Sequence, residues 1–325
     1  MRSMLPQMVS DGALSTMWAI GRFQSLADFF AAGTGLGFAR FELNHAINSA
    51  MLEGLSLNGR IASIHEPCPA DVSAVALKER NWLVSAPDEG NRRQGVAAVR
   101  RSIDLAHKLG VQVVIVHPGR VDIDPALEST LVHLYDEGKS DKPEYAHAKE
   151  RLVTARAAQA KVNMRSVRRS LIELAEAAAQ MGVRLGLENR IHYYEIPLPD
   201  ELDDLLELGC GEWVGYWHDV GHAQVLQHMG FWRHEEWLRR FAGPQGRVIG
   251  VHLHDVVGLR DHLAAGLGQM DWDMVARHLP ASALRTCEFQ PFNSPQEVAA
   301  AVKWLVEKGC CEYQPLNLPA QVWEV

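Results

Sequence analysis

Several things are missing from this sequence, and each absence narrows it. The five cysteines (Cys68, Cys210, Cys287, Cys310, Cys311) form no CxxC pair. Neither a zinc ribbon nor a disulfide framework is therefore indicated, and a reducing compartment is expected. No charge-free apolar run is long enough to span a bilayer, and the opening stretch MRSMLPQMVSDGALSTMW has no signal-type hydrophobic region. The expectation is a soluble, cytoplasmic protein with no membrane partner. Positive charge is not in excess: the formal net charge is −8, which speaks against nucleic acid as a partner. No GxGxxG follows the first strand pattern, so a dinucleotide fold has no positive support and no organic cofactor is expected. Neither a linker nor an internal repeat divides the 325 residues, so 1–325 is read as a single domain.

What is present is a regular alternation of short apolar runs and amphipathic stretches. Strand patterns occur at 37–44, 61–65, 111–117, 183–189, 213–219, 247–254 and 284–290, with a poorer first one in 13–20. Between them lie 3.6-period segments such as 92–110 and 294–309. Gly110 and Gly309 stand where a helix C-terminus favours a left-handed residue. Ser294-Pro295 reads as an N-cap followed by proline in the first turn. Eight strands alternating with helices predict an α/β fold, a (β/α)8 TIM barrel, rather than a doubly wound sheet. The segment 121–145 reads as a lid-like insertion, 144–180 as one extended or kinked helix, and 310–325 as an extended C-terminal tail packed on the barrel or on a neighbouring subunit.

Polar residues fall at the strand ends: His65, His117, Glu188, Asp219, His252 and Glu288. In a parallel barrel those ends converge on the face where active sites are built. Each has an ordinary structural explanation alone; Arg190 and Arg285, for instance, are available to pair with buried glutamates. Six together are harder to explain that way, because buried carboxylates facing one another repel and are costly to desolvate. A divalent cation removes both problems. Mixed imidazole and carboxylate donors suit Mn²⁺ or Zn²⁺, with Mg²⁺ or Co²⁺ as further candidates. Glu42 and Asn44, ending the second strand, are a strand-end polar pair or a substrate contact, and the structural reading is preferred. Cys287 is expected to point away from Glu288, and His218 away from Asp219.

Taken in order, the stretches IHEPC, VHPG, GLEN, WHDVGH, VHLHD, LGQMDW and CEF resemble the xylose isomerase-like TIM barrel superfamily over roughly residues 35–305. That superfamily includes sugar epimerases and isomerases, inosose dehydratases and the endonuclease IV type of DNA-repair enzyme. The resemblance implies that Glu188, Asp219, His252 and Glu288 hold the catalytic metal. It implies a second metal on His65 and His117 with the shared glutamate, as in the nucleases. His222 matches a histidine that contacts substrate in epimerases or another metal in nucleases, and His262 a further nuclease ligand. The aspartate expected two positions before His262 is Arg260 here, with Asp261 adjacent, which counts against a trinuclear nuclease. The second substrate-binding glutamate of the epimerases is replaced by Tyr194, with Glu195 next. Their arginine six residues after the ligand histidine is replaced by Gly258, with Arg260 nearby.

The resulting expectation is a metal-dependent isomerase or epimerase acting on a sugar or related polyol through an enediolate. Glu188 and Glu288 serve as acid and base, with His222 assisting. Substrate contacts are assigned to His222, His254, Arg260, His262, Glu195 and Trp217, with Trp18 and Phe41 as further wall candidates. The partner is a small carbohydrate-like molecule, and a homodimer is a candidate assembly. The alternatives are an inosose-type dehydratase, a metal-dependent phosphoesterase on abasic DNA, and a non-catalytic metal- or sugar-binding barrel. In VHLHDV, His252 is the ligand, while His254 and Asp255 either meet substrate or cap the strand.

Overall fold

The computed structural model describes residues 8–243 and 247–315. Its strands are β1 (Met8–Ser15), β2 (Phe38–Leu43), β3 (Ile61–His65), β4 (Val113–Val116), β5 (Arg184–Glu188), β6 (Val214–Asp219), β7 (Val248–Leu253), β8 (Asp255–Val257), β9 (Arg260–Leu263), β10 (Leu284–Cys287) and β11 (Tyr313–Pro315). Strands β1 to β7 and β10 are parallel, each beside the next, and β10 pairs back onto β1 to close an eight-stranded barrel. Strands β8 and β9 form a separate antiparallel hairpin inserted after β7.

The local chemistry explains the elements. The helix Glu89–Leu109 starts where the Asp88 carboxylate accepts from the Asn91 N–H and stops at Gly110, which takes φ +68°. The helix Pro295–Glu307 starts with a capping box between Ser294 and Glu297.

Three expectations need correction. The first strand lies earlier than 13–20: β1 is Met8–Ser15, and Thr16–Ala19 is a 3-10 turn started by the Ser15 hydroxyl accepting from Met17 N–H. The segment 121–145 is no lid. It holds a helix, Ala126–Asp136, that packs along the 39-residue helix Pro143–Met181, and the buried Glu128 carboxylate ties it to His192 and the Tyr194 N–H. Of the expected tail, Tyr313–Pro315 runs antiparallel to the first half of β1, and 316–325 lie outside the described residues.

Two apolar regions flank the barrel wall. The larger lies between strands and helices, where Phe29, Phe30 and Phe41 stack together. The smaller fills the barrel itself: Val113, Ile115, Trp217 and Ile249, with Leu284 against them. Glycines make room for this plug. A Cβ on Gly250 would stand 2.0 Å from Trp217 Cζ3, and one on Gly215 would stand 2.5 Å from Ile249 Cγ2. Trp217 is thus the floor of the barrel under His252 (ring centroids 5.2 Å apart), not a wall of a substrate cavity as expected. Phe41 likewise faces the helices. Gly250→Ala is expected to lower stability by about 2 kcal/mol or more through overpacking. Gly35→Ala, where the added methyl meets open space, is expected to change it by less than about 1 kcal/mol. Urea unfolding of both variants checks this, and equal stabilities would contradict the packing account.

Candidate metal centre

Above the plug, the strand ends bring together a ring of titratable groups. Glu42 comes from β2, His65 from β3, Glu188 from β5, Asp219 from β6 and His252 from β7. His117 and Glu288 follow β4 and β10 directly. The parallel registers set Asp219 beside His252 and His252 beside Thr286, so adjacent strands deliver their terminal side chains at one level. All are buried except His117, which is partly exposed.

His252 is the centre of this ring. Its Nδ1–H donates to Glu188 Oε1 (2.7 Å), with Glu288 Oε2 at 3.3 Å and Asp219 Oδ2 at 3.5 Å, while Nε2 faces Glu42 Oε2 at 3.2 Å. His65 Nε2 meets His117 Nε2 at 2.5 Å, and His117 Nε2 lies 2.9 Å from Glu188 Oε2. Arg190 Nη1 donates to Glu188 Oε2 and to His117 Nε2, the latter at 2.8 Å. The pairing of Glu188 with Arg190 is therefore real. Arg285 by contrast bonds the carbonyls of Cys310 and Ala283, not Glu288.

The residues fit a cation. Within the ring, the donor atoms of Glu188, Asp219, His252 and Glu288 all lie within 4.8 Å of one another. The same holds for Glu42, His65, His252 and Glu288, and for His65, His117 and Glu188. Three buried atoms there, Glu42 Oε1, His65 Nδ1 and Glu288 Oε1, have no hydrogen-bond partner. Each such atom costs about 1–3 kcal/mol, and all three belong to the second of these groups, which shares His252 and Glu288 with the first. Glu42 corrects the structural reading given to it above: its carboxylate accepts from the Ser63 hydroxyl and faces His252 and His65. Asn44 is structural as read, accepting from the Thr16 hydroxyl and the Ala46 N–H. His45, unremarked in the sequence, stands edge-on to His65, and burial lowers its pKa to about 4, keeping it neutral.

A second group adjoins the ring. His222 Nδ1–H donates to the Asn189 carbonyl and His262 Nδ1–H to the Glu288 carbonyl, which leaves both Nε2 lone pairs free. Asp261 Oδ2 lies 3.7 Å from one and 3.4 Å from the other. His254 is close by, yet both its nitrogens are engaged: Nδ1 accepts from the His262 N–H and Nε2–H donates to Asp219. It orients Asp219 and has no free lone pair. Gly221 permits this, since a Cβ there would stand 1.9 Å from the His254 ring. Asp255 has a loop-building duty, accepting from the N–H groups of Gly266 and Met270 and from Trp272 Nε1–H.

The remaining assigned contacts divide. Glu195 is buried between Lys78 Nζ (3.4 Å) and Arg190 Nε (3.7 Å) beside a small cavity that His117 also lines. Arg156 fixes that loop by donating to the carbonyls of Tyr193 and Glu195 and to Glu201. Arg260 is corrected: it is exposed and stacks on Phe292, 4.1 Å from the ring centroid. His262 takes φ +55°, which breaks strand alternation and turns His262 inward while Arg260 faces out. His218 points away from the site, as expected, into a buried chain with Tyr216 and His234. Tyr216 and the Asp219 N–H both reach Asn189 Oδ1, a clamp that no sequence motif signalled. Cys287 faces outward, and burial pushes its thiol pKa up, so it is no nucleophile.

Residues 68–308 match the model of the xylose isomerase-like TIM barrel. The chain belongs to that family. An uncharacterized protein of Methanocaldococcus jannaschii is 24% identical over 220 residues, covering 66% of this chain and 59% of its own length. The chain spans about half to three-fifths of the length of the curated relatives it matches. Among solved structures, a D-tagatose 3-epimerase-like protein aligns with TM-score 0.64 at 18% identity, covering 91% of this chain and 96% of that one. The IolI protein with a bound zinc atom aligns at 0.62 and 15% identity, covering 91% and 97%. At these identities the two structures share the fold of this xylose isomerase-like barrel. No helix among the described residues is long and apolar enough to cross a membrane.

Charge balance in the ring gives a prediction. Burial opposes ionisation of Glu188, but Arg190 and His65 hold its carboxyl well below the usual range. Burial likewise opposes charge on His252, but Glu288 and Glu42 raise it well above the usual histidine range, and Glu188 does the same for His65. Both rings are therefore protonated at neutral pH without a cation. A cation binding His252 must displace its proton, so affinity falls as pH falls. Apparent zinc affinity is expected to rise by about tenfold per pH unit for each proton released between about pH 6 and 8. Calorimetry in two buffers of different ionisation enthalpy measures that release; an affinity independent of pH with no proton released would contradict it.

Proposed function

We propose that this protein is a divalent-metal-dependent isomerase or epimerase of a small sugar or related polyol. The observation that carries the reading is the convergence of Glu188, Asp219, His252 and Glu288 at the C-terminal ends of β5, β6, β7 and β10. These four residues would hold one cation, Mn²⁺ or Zn²⁺ by the donor set, with Mg²⁺ or Co²⁺ as further candidates. When bound, the ion supplies Lewis-acid polarisation of a substrate carbonyl and so acidifies the adjacent C–H. A zinc-bound structure and a sugar-epimerase-like structure among those sharing the fold support the reading.

The chain's own residues do the proton work. Glu188 and Glu288 reach His252 Nδ1 from β5 and from the end of β10, and a substrate above the cation would be approached by one carboxylate from each side. Both carboxyls are held below the usual range, Glu288 chiefly by His252 acting against burial, so each is ionised with a lone pair available. One takes the proton next to the carbonyl, and the other, after taking up a proton from solvent, delivers it to the opposite face, with a change of stereocentre or of carbonyl position. His222 Nε2, free because Nδ1 is committed to Asn189, orients a substrate hydroxyl. His262 and Glu195 complete the substrate contacts on either side. The buried plug of Trp217 and Ile249 keeps water from beneath, where a low dielectric strengthens these interactions.

A polynuclear phosphoesterase is the second reading, and the groups His65–His117–Glu188 and His222–His254–His262 favour it. The engaged nitrogens of His254 and the Arg190 guanidinium on His117 weigh against it. Incubation of the metal-loaded protein with ketoses and polyols in D₂O separates the readings. Solvent deuterium is expected at the carbon beside the carbonyl, and Glu288→Gln is expected to slow that exchange by about 10² or more. Elimination of water would point to a dehydratase. Cleavage of an abasic duplex with no exchange in any sugar would overturn the proposal.

A further inference from the structure

The edge of the ring between β4 and β5 is built like a second metal site, yet it already contains a cation. His65 Nε2, His117 Nε2 and Glu188 Oε2 lie within 4.8 Å of one another, the arrangement that would hold an ion. Arg190 Nη1 sits on two of those three atoms, donating to His117 Nε2 at 2.8 Å and to Glu188 Oε2. Because His117 Nε2 accepts from the guanidinium, its lone pair is spent. The 2.5 Å contact with His65 Nε2 then places a hydrogen of His65 on the same atom. Every donor atom that an ion at this edge would need is therefore engaged by an N–H hydrogen, and the group Glu42, His65, His252 and Glu288 shares two ligands with the main site.

The guanidinium is anchored on its other side. Arg190 is two residues beyond Glu188, too close in the chain to swing far, and it is mostly buried. Its Nε forms an ion pair with Glu195 Oε2 at 3.7 Å, and neither atom has a hydrogen-bond partner. Glu195 is held in turn by Lys78 at 3.4 Å and by Arg156, which grips its carbonyl. An arginine cannot be deprotonated at accessible pH, so this positive charge is permanent.

We propose that Arg190 is a built-in substitute for the second metal ion, restricting the ring to one divalent cation on Glu188, Asp219, His252 and Glu288. The inference rests on the one-cation reading above and deepens it. Glu188 can then serve both halves: Oε1 faces the His252 side, while Oε2 is neutralised by Arg190. Charge at the second position is supplied without an exchangeable ion.

The test is metal stoichiometry of the full chain, stripped with chelator and re-equilibrated with zinc, in four proteins: wild type, Arg190→Gln, Arg190→Lys, and Arg190→Gln combined with His117→Ala. The ring is expected to hold one ion in the wild type and in Arg190→Lys, and two in Arg190→Gln. The additional ion is expected to disappear in the double variant. The inference is overturned if Arg190→Gln binds no more zinc than the wild type, or if its extra ion survives His117→Ala. Cobalt titration of the wild type supplies a readout that needs no variant. Uncoupled high-spin cobalt supports the inference, and a spin-coupled pair overturns it. If the wild type binds no zinc while Arg190→Gln gains an ion that His117→Ala abolishes, the exclusion of an ion from the β4–β5 edge by Arg190 stands and the one-cation function fails.

Discussion

The structure depends on keeping four carboxylates, Glu42, Glu188, Asp219 and Glu288, ionised together at the dry end of a barrel. Left alone they would repel and take up protons. The chain opposes this with the charges of His65, His252 and Arg190, each placed on one or more of the four. Asp219 pulls on His254 as well, raising it to about 9 against the effect of burial, yet its Nδ1 accepts from the His262 N–H, so the hydrogen bonds keep that ring neutral. Breaking a buried pair of this kind typically costs about 3–5 kcal/mol, because the remaining charge stays desolvated. A site under such constraint is stable only when positive charge is provided, by protons or by a metal ion.

The scaffold around the ring follows from that requirement. Gly186, Gly215 and Gly250 let Trp217 and Ile249 fill the barrel tightly beneath the ring and keep water out. The Asn189 amide grips both the N–H and the carbonyl of Asp219, and the Asp255 carboxylate gathers the loop from Gly266 to Trp272. Asn293 ties that loop to the end of β10 by accepting from Ala264 N–H and donating to the His262 carbonyl. These are ordinary hydrogen bonds, each worth about 1 kcal/mol, but together they fix the atoms that must converge.

Much of this was legible in the sequence. Strand period and helix punctuation located the barrel, and polar residues ending apolar runs located its rim. What remained hidden had specific physical causes. Glu42 is followed by Leu43 and Asn44, so the strand seemed to end in a structural pair, and only barrel closure shows that it reaches His252. Sequence alone assigns both Arg260 and His262 to substrate, but they lie on a short hairpin whose left-handed residue at His262 turns that ring inward and leaves Arg260 outside. Trp217 looked like a wall because aromatic residues near a site often are, and only the glycines on neighbouring strands reveal it as the floor. The tautomers of His222, His254 and His262 depend on carbonyl and amide partners far along the chain, which no local pattern encodes.

Locating the cation by anomalous diffraction from crystals equilibrated with zinc tests the central claim most directly. The account predicts one strong peak within about 2.0–2.3 Å of a donor atom from each of Glu188, Asp219, His252 and Glu288. A peak between His65 and His117, or one seated on His222 and His262 with none at His252, would contradict it.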